Sequence, residues 1–313
     1  MPPGAGLRRS HRGEHDRGKA RGGRALTPTF HEDLYAGRVV LVTGGTSGIG
    51  AGIADAFADL GAVVTVTGAT AAEADAARSQ PGFRLRDAIA LDVRDDGAIR
   101  ALLANLPRLD VLVNCAGVIR RDAEHDPEVF ADTVAINLTG TMRCCTHART
   151  KLAATGGSIV NIASILSIFG GPRVPGYSAS KGGVAQLTRS LAAAYADDGI
   201  RVNAIAPGWV RTPLTRALQD DAERSAAIVA RTPMRRWADP ADVAGAALFL
   251  ASPAAAGGQA PYVGLVREVG RILIGPAVLG LPHDCRRRYG QAVHRGHDAS
   301  RDAESSRQRD SRH

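Results

Sequence analysis

Tyr177 and Lys181 stand four residues apart in Tyr177-Ser178-Ala179-Ser180-Lys181, a spacing that puts both on one face of a helix. A free phenol ionises near about pH 10 and is a poor base at neutrality. A close ammonium is expected to favour the phenolate and lower that value, so that Tyr177 could take or give the proton of an alcohol. On residue type alone the two also fit a solvated surface pair. Ser164 ends the apolar run Ile159-Val160-Asn161-Ile162-Ala163-Ser164. A hydroxyl at the end of such a strand could hold a carbonyl oxygen as charge develops on it. A turn serine fits there too, and Ser167 and Ser178 are neighbours of the same type.

A second cluster lies nearer the N-terminus. Val39-Val40-Leu41-Val42-Thr43 runs into Gly44-Gly45-Thr46-Ser47-Gly48-Ile49-Gly50, and the amphipathic stretch Ala51–Leu60 follows. Glycine permits a sharp turn and lets backbone approach a pyrophosphate, while the helix start offers free N–H groups and the positive end of its dipole. A dinucleotide is the natural ligand, although glycine-rich strand-to-helix turns without one exist. The spacing is G-x-x-x-G-x-G, not the G-x-G-x-x-G of the common Rossmann fingerprint.

Both clusters need a scaffold that brings strand ends together. β-branched runs alternate with Ala/Leu-rich stretches of helical spacing, the pattern of βαβ units. Strands are predicted at Val39–Val42, Ala62–Thr67, Ala88–Leu91, Val111–Val113, Ser158–Ile162 and Val202–Ile205, with long helices at Val129–Leu152, Tyr177–Ala196 and Pro240–Ala251. The expected fold is α/β, a doubly wound parallel sheet of Rossmann type. One catalytic domain is expected over residues 37–256, between a disordered basic arm (1–30) and a low-order tail (257–313).

With this glycine spacing, the ordered set of motifs resembles the short-chain dehydrogenase/reductase family over roughly residues 37–256. The resemblance implies hydride transfer between a nicotinamide cofactor and a secondary alcohol or ketone. It selects Ser164 over Ser167 and Ser178, and it adds Asn137, in Ala135-Ile136-Asn137-Leu138, as a post relaying water between Lys181 and solvent. The implied catalytic set is Asn137, Ser164, Tyr177 and Lys181. Cofactor contacts are implied at Gly44, Thr46, Ser47, Gly48, Ile49 and Gly50. Asp92 and Val93 follow the third strand, and Asn114, Ala116 and Gly117 lie in Asn114-Cys115-Ala116-Gly117, where Cys115 replaces an asparagine of the family pattern. Tyr177, Lys181, Pro207, Gly208, Val210 and Thr212 complete the set, Val210 acting through its backbone.

The residue closing the second strand usually decides between the two nicotinamide cofactors, an acid binding the ribose hydroxyl and an Arg the extra phosphate. Val66-Thr67-Gly68-Ala69-Thr70 offers neither, and Ser47 is not basic. NAD is therefore expected in preference to NADP. Segments around Arg120 and Arg173 resemble the branch that dehydrogenates deoxy-gluconates, sugar acids derived from pectin. The expected substrate contacts are Ser164, Tyr177 and Arg173, with Arg173 or Arg120 clamping a carboxylate; a structural role for either Arg is the other reading. A 3-oxoacyl thioester reductase and an inactive or unstable dinucleotide-binding protein are the alternatives.

Composition restrains the partners. The formal charge is +8, but residues 1–24 carry a net +5 and residues 257–313 a net +4, leaving −1 for residues 25–256. A nucleic-acid-binding core is therefore not expected. No run reaches the ~18 apolar residues of a membrane span, and Cys115, Cys144, Cys145 and Cys285 form no disulfide framework, so a reducing cytoplasm is expected. His283, His294, His297 and Cys285 lie outside the usual zinc spacings, and no metal is expected. The family's closing V-D-G-G strand has no match here. Tyr262–Gly270 is at most a degraded echo of it, which suggests a divergent extension or an out-of-frame end. The dimer or tetramer that the resemblance implies depends on that edge.

Overall fold

A computed structural model describes residues 30–256 and the strand Val263–Val266. The expected arm and most of the expected tail lie outside the described residues. Seven parallel strands form one sheet: β1 Val39–Thr43, β2 Val63–Gly68, β3 Asp87–Ala90, β4 Val111–Asn114, β5 Ser158–Ile162, β6 Arg201–Pro207 and β7 Val263–Val266. Their order across the sheet is β3-β2-β1-β4-β5-β6-β7. The order of winding thus reverses between β1 and β4, where the C-terminal residues Thr43 and Asn114 pair. In open α/β sheets such a switch point leaves a crevice beyond the strand ends.

The helices are α1 Gly48–Asp59, α2 Ala71–Arg78, α3 Asp96–Asn105, α4 Pro127–Val134, α5 Gly140–Ala153, α6 Leu166–Phe169, α7 Pro175–Ala194, α8 Arg216–Gln219, α9 Ala222–Arg231 and α10 Pro240–Ala251. Strand side chains alternate between faces, and that period sorts the core. Val40, Val42, Val111 and Val113 meet α1, α2 and α10 on one face through Ile53, Phe57 and Leu248. Leu41, Leu112 and Ile159 meet α3, α5 and α7 on the other through Ile99, Cys145, Leu152 and Leu191. The single long helix predicted over Val129–Leu152 is α4 and α5 joined by a π-helical turn, Ala135–Thr139.

The final strand, expected to be missing or degraded, is present over four residues. Val263–Val266 lies inside the stretch noted as an echo and pairs with β6 from Ala204 to Pro207. Among the described residues no helix is long and apolar enough to cross a membrane, and no cluster of His, Cys, Asp and Glu is built to hold a metal.

Candidate active site and dinucleotide cleft

The crevice at the switch point is a cleft of about 350 Å³. Its floor is the turn from β1 to α1. Gly44 adopts φ +64, and a Cβ there would stand 2.6 Å from the Cα of Ala116, so the two strand ends close only around a glycine in the left-handed region. A Cβ on Gly50 would lie 2.2 Å from the Gly44 carbonyl oxygen. Ser47 caps α1 without a side-chain hydrogen bond, leaving first-turn N–H groups facing the cleft. These features fit a pyrophosphate. Gly44, Thr46, Ser47, Gly48, Ile49, Gly50, Asp92, Val93, Ala116, Gly117, Tyr177, Lys181 and Thr212 all line this cleft.

Four expected contacts do not line it. Asn114 turns its amide across the sheet, donating to Asn161 Oδ1 at 2.9 Å and to Cys145 Sγ at 3.3 Å. Asn161 in turn donates to Thr188 Oγ1 at 2.9 Å, so Asn114 ties β4 to β5 and α7. Pro207 ends β6 within the buried sheet. Val210 packs in the core, and its carbonyl already accepts the Thr215 hydroxyl at 2.7 Å. Gly208 lines a smaller cavity beside the cleft.

Tyr177 and Lys181 lie in the first two turns of α7, which starts on Pro175, a residue pre-set for a first helical position. Tyr177 lines both the cleft and the smaller cavity. The Ser164 hydroxyl, just past β5, hydrogen-bonds the phenol. Lys181 Nζ donates to the carbonyl of Ile162, the last residue of β5, at 2.6 Å, and stands 5.8 Å from the Tyr177 ring centre. Asn137 is fully buried in the π-helical turn, a distortion often found at functional sites. Its Oδ1 accepts the Val118 N–H at 2.8 Å, and its Nδ2 donates to the Val118 carbonyl and to Ser180 Oγ, both at 3.0 Å. Asn137 therefore fastens the loop after β4 to α7.

The electrostatics correct one expectation. The phenol of Tyr177 is not acidified: burial pushes it up to about 12, against the lowering effect of the Ser164 hydrogen bond. The same burial pulls the Lys181 ammonium down to about 8, with the Cys115 thiol acting the other way. Spacing put a cation beside the phenol, but removal from water disfavours the charged form of both groups. Burial also pushes the Cys115 thiol up to about 11.

The arginines are corrected as well. Arg173 forms a bidentate pair with Asp122, Nε to Oδ1 at 2.6 Å and a second guanidinium nitrogen to Oδ2, and lines neither cavity. Arg120 pairs with Asp132 at 2.6 Å. The guanidinium that does border Ser164 and Tyr177 is that of Arg121, half-buried, which lines the smaller cavity of about 60 Å³ with them and with Gly208, Trp209 and Leu214. Arg121 has no hydrogen bond or ion pair with any described residue. Burial, then the like charge of Arg173, lowers its affinity for the proton. Next to it Asp122 sits at φ +68, so the Arg173 pair holds the backbone that aims Arg121.

Sequence reasoning also missed two carboxylates. Glu124, 1% exposed, accepts the backbone N–H of Arg120 and of Tyr177, each at 2.7 Å. Glu73, in the first turn of α2, lines the cleft beyond β2. Neither belongs to a spaced motif. The one sequence cue for Glu73 is its place three residues after Thr70, the spacing of a reciprocal helix cap.

A cradle for a dinucleotide at a sheet's switch point, with a tyrosine, serine and lysine gathered at its inner end, defines a nicotinamide-dependent oxidoreductase of Rossmann type. Comparison with known proteins gives the family. Residues 44–263 match the family model described as enoyl-(acyl carrier protein) reductase. The chain is 40% identical over 229 residues to 2-dehydro-3-deoxy-D-gluconate 5-dehydrogenase of Pseudoalteromonas atlantica, covering 70% of this chain and 90% of that protein. It is 42% identical over 237 residues to cis-4-hydroxycyclohexanecarboxylate dehydrogenase of Sinomonas cyclohexanicum, covering 71% and 92%. A crystal structure from Beutenbergia cavernae, assigned as an NAD(P)-dependent gluconate 5-dehydrogenase and holding NADP at low occupancy, superposes with a TM-score of 0.66 at 42% identity, covering 72% and 94%. The chain belongs to the short-chain dehydrogenase/reductase family, enzymes that act on CH–OH groups with NAD(P).

Proposed function

We propose that this enzyme interconverts a secondary alcohol and a ketone on a substrate that also carries a carboxylate, a sugar acid being the leading class, with NAD in preference to NADP. The observation that carries the substrate class is Arg121, an unpaired guanidinium in the cavity that Ser164 and Tyr177 share. The two relatives' names describe unlike skeletons, a deoxy-gluconate and a cyclohexane ring, that have a carboxylate in common. That shared group suits a planar cation able to bind it through two parallel hydrogen bonds.

The reacting alcohol lies between the hydroxyls of Ser164 and Tyr177. Ser164 donates to its oxygen as the carbon changes hybridisation, and Tyr177 takes the proton in oxidation or returns it in reduction. Lys181 favours the phenolate at the moment it forms. Asn137 holds Val118 and Ser180 so that the loop and α7 keep their spacing. A nicotinamide dinucleotide bound along the cleft supplies or accepts the hydride. Cys144 and Cys145, adjacent, buried and free, support a reducing compartment such as the cytoplasm. Phe130 and Met142, 36% and 37% exposed on α4 and α5, support association of copies.

A panel of sugar acids, cyclic hydroxy acids, neutral polyols and 3-oxoacyl thioesters, each assayed for NADH formation or consumption, tests this reading. Turnover confined to carboxylate-bearing alcohols and their ketones is expected. Turnover confined to neutral polyols or to thioesters would contradict it.

A further inference from the structure

The second strand closes on Gly68, so nothing at its end can read the ribose of a dinucleotide. A carboxylate reaches that place from the next helix. Glu73 Oε2 accepts the Ala69 N–H at 2.8 Å, while Thr70 Oγ1 accepts the Glu73 N–H at 3.2 Å. These two bonds fix the side chain against the strand end. A Cβ placed on Gly68 would stand 2.9 Å from Glu73 Oε2 and 2.9 Å from Thr46 Oγ1, so carboxylate and hydroxyl converge over the missing side chain. Both residues line the cleft.

The surrounding charge does not offset this carboxylate. Arg94 is the cation lining this part of the cleft. Its guanidinium is held by Asp92 at 2.6 Å and by Asp132 at 2.7 Å, which leaves no spare positive charge. The Ala69 N–H, a backbone donor that could meet an anion at the start of α2, is already taken by Glu73.

We propose that Glu73 is the residue that selects the cofactor, accepting a hydrogen bond from a free ribose 2′-hydroxyl and repelling a 2′-phosphate. A phosphate monoester brings up to two negative charges at neutral pH to a place that holds one fixed negative charge and no cation without acidic partners. This inference rests on the reading of the cleft as a nicotinamide dinucleotide site and adds the residue that discriminates within it.

Fluorescence titration of the full-length protein with NADH and with NADPH tests the proposal without turnover. The wild type is expected to bind NADH at least about tenfold more tightly, and added salt should narrow the gap because the repulsion is coulombic. Glu73→Gln can still accept the Ala69 N–H, so the cap survives while the charge goes. In this variant the preference is expected to fall by about tenfold, chiefly through tighter NADPH binding. Equal or tighter NADPH binding by the wild type, or an unchanged ratio in Glu73→Gln, overturns the role of Glu73 and leaves the dinucleotide reading intact. Failure of the wild type to bind either cofactor overturns both.

Discussion

The buried carboxylate of Glu124 accepts the backbone N–H of Tyr177 at 2.7 Å and, through its other oxygen, that of Arg120 at 2.7 Å. One side chain thus caps the helix that carries the proposed acid–base residue and fastens the loop that carries the proposed carboxylate-binding one. Val174, at the cap position of α7, makes no side-chain cap. Glu124→Ala would leave two buried N–H groups unpaired, and the expected loss is roughly 2–4 kcal/mol. Thermal unfolding should show a midpoint lower by about 2–4 °C per kcal/mol. At temperatures where the variant is folded, kcat should fall together with substrate affinity. An unchanged midpoint and unchanged kinetics would remove Glu124 from the account.

Burial of Lys181 makes a prediction about stability. Its pKa in the folded chain, about 8, lies below its ordinary 10.5. Below pH 8 both folded and unfolded chains carry the ammonium, and the folded one bears the full desolvation cost. That cost fades as pH rises from about 8 towards 10.5, because only the unfolded chain then binds the proton. Lys181→Met should therefore be more stable than wild type at pH 7, by about 1–3 kcal/mol after losing the bond to the Ile162 carbonyl. The advantage should vanish near pH 10. Denaturant unfolding at pH 7 and pH 10 measures both, and a variant less stable at pH 7 would contradict the burial argument.

Tyr177 has the opposite sign. Its raised value means that stability from the neutral phenol is fully present below about pH 10 and is lost as pH climbs towards 12. Ultraviolet titration of wild type against Tyr177→Phe should show no tyrosinate from this residue at pH 8 in the cofactor-free protein. Bound NAD+ places a positive ring charge near the phenol and should move its ionisation to lower pH. Tyrosinate at neutral pH without cofactor would contradict the assignment.

The two arginine roles separate kinetically. Arg121→Gln should raise KM for a hydroxy acid about ten- to a hundredfold, the worth of a charge-assisted pair, with a smaller change in kcat. Arg173→Gln should act less strongly, because it frees Asp122 from its pair without removing the binding cation. A larger effect at position 173 than at 121 would reverse the assignment.

Sequence patterns were good guides where the physics is local. The strands from Val39, Ser158 and Val202 are short runs buried on both faces, and their alternation with stretches of helical spacing carries the parallel sheet. The glycine turn and the Tyr177–Lys181 spacing are equally local. The arginines were not legible, because which of Arg120, Arg121 and Arg173 stays unpaired depends on where Asp122 and Asp132 lie after folding. Glu124 reaches the Tyr177 N–H only through tertiary structure, and for Glu73 the local spacing from Thr70 marks a cap but not the cleft that the side chain lines. The ionisation of Tyr177 was misread for a related reason: sequence shows the neighbouring cation but not how much water surrounds it.

In the proposed reaction the Tyr177 phenol moves the alcohol proton. Steady-state NADH formation by Tyr177→Phe, measured beside NADH binding by the same variant, tests it most directly. A loss of kcat of at least about a thousandfold is expected, within the range for a positioned acid–base group, with NADH affinity within about threefold of wild type. Turnover within about tenfold of wild type would contradict it.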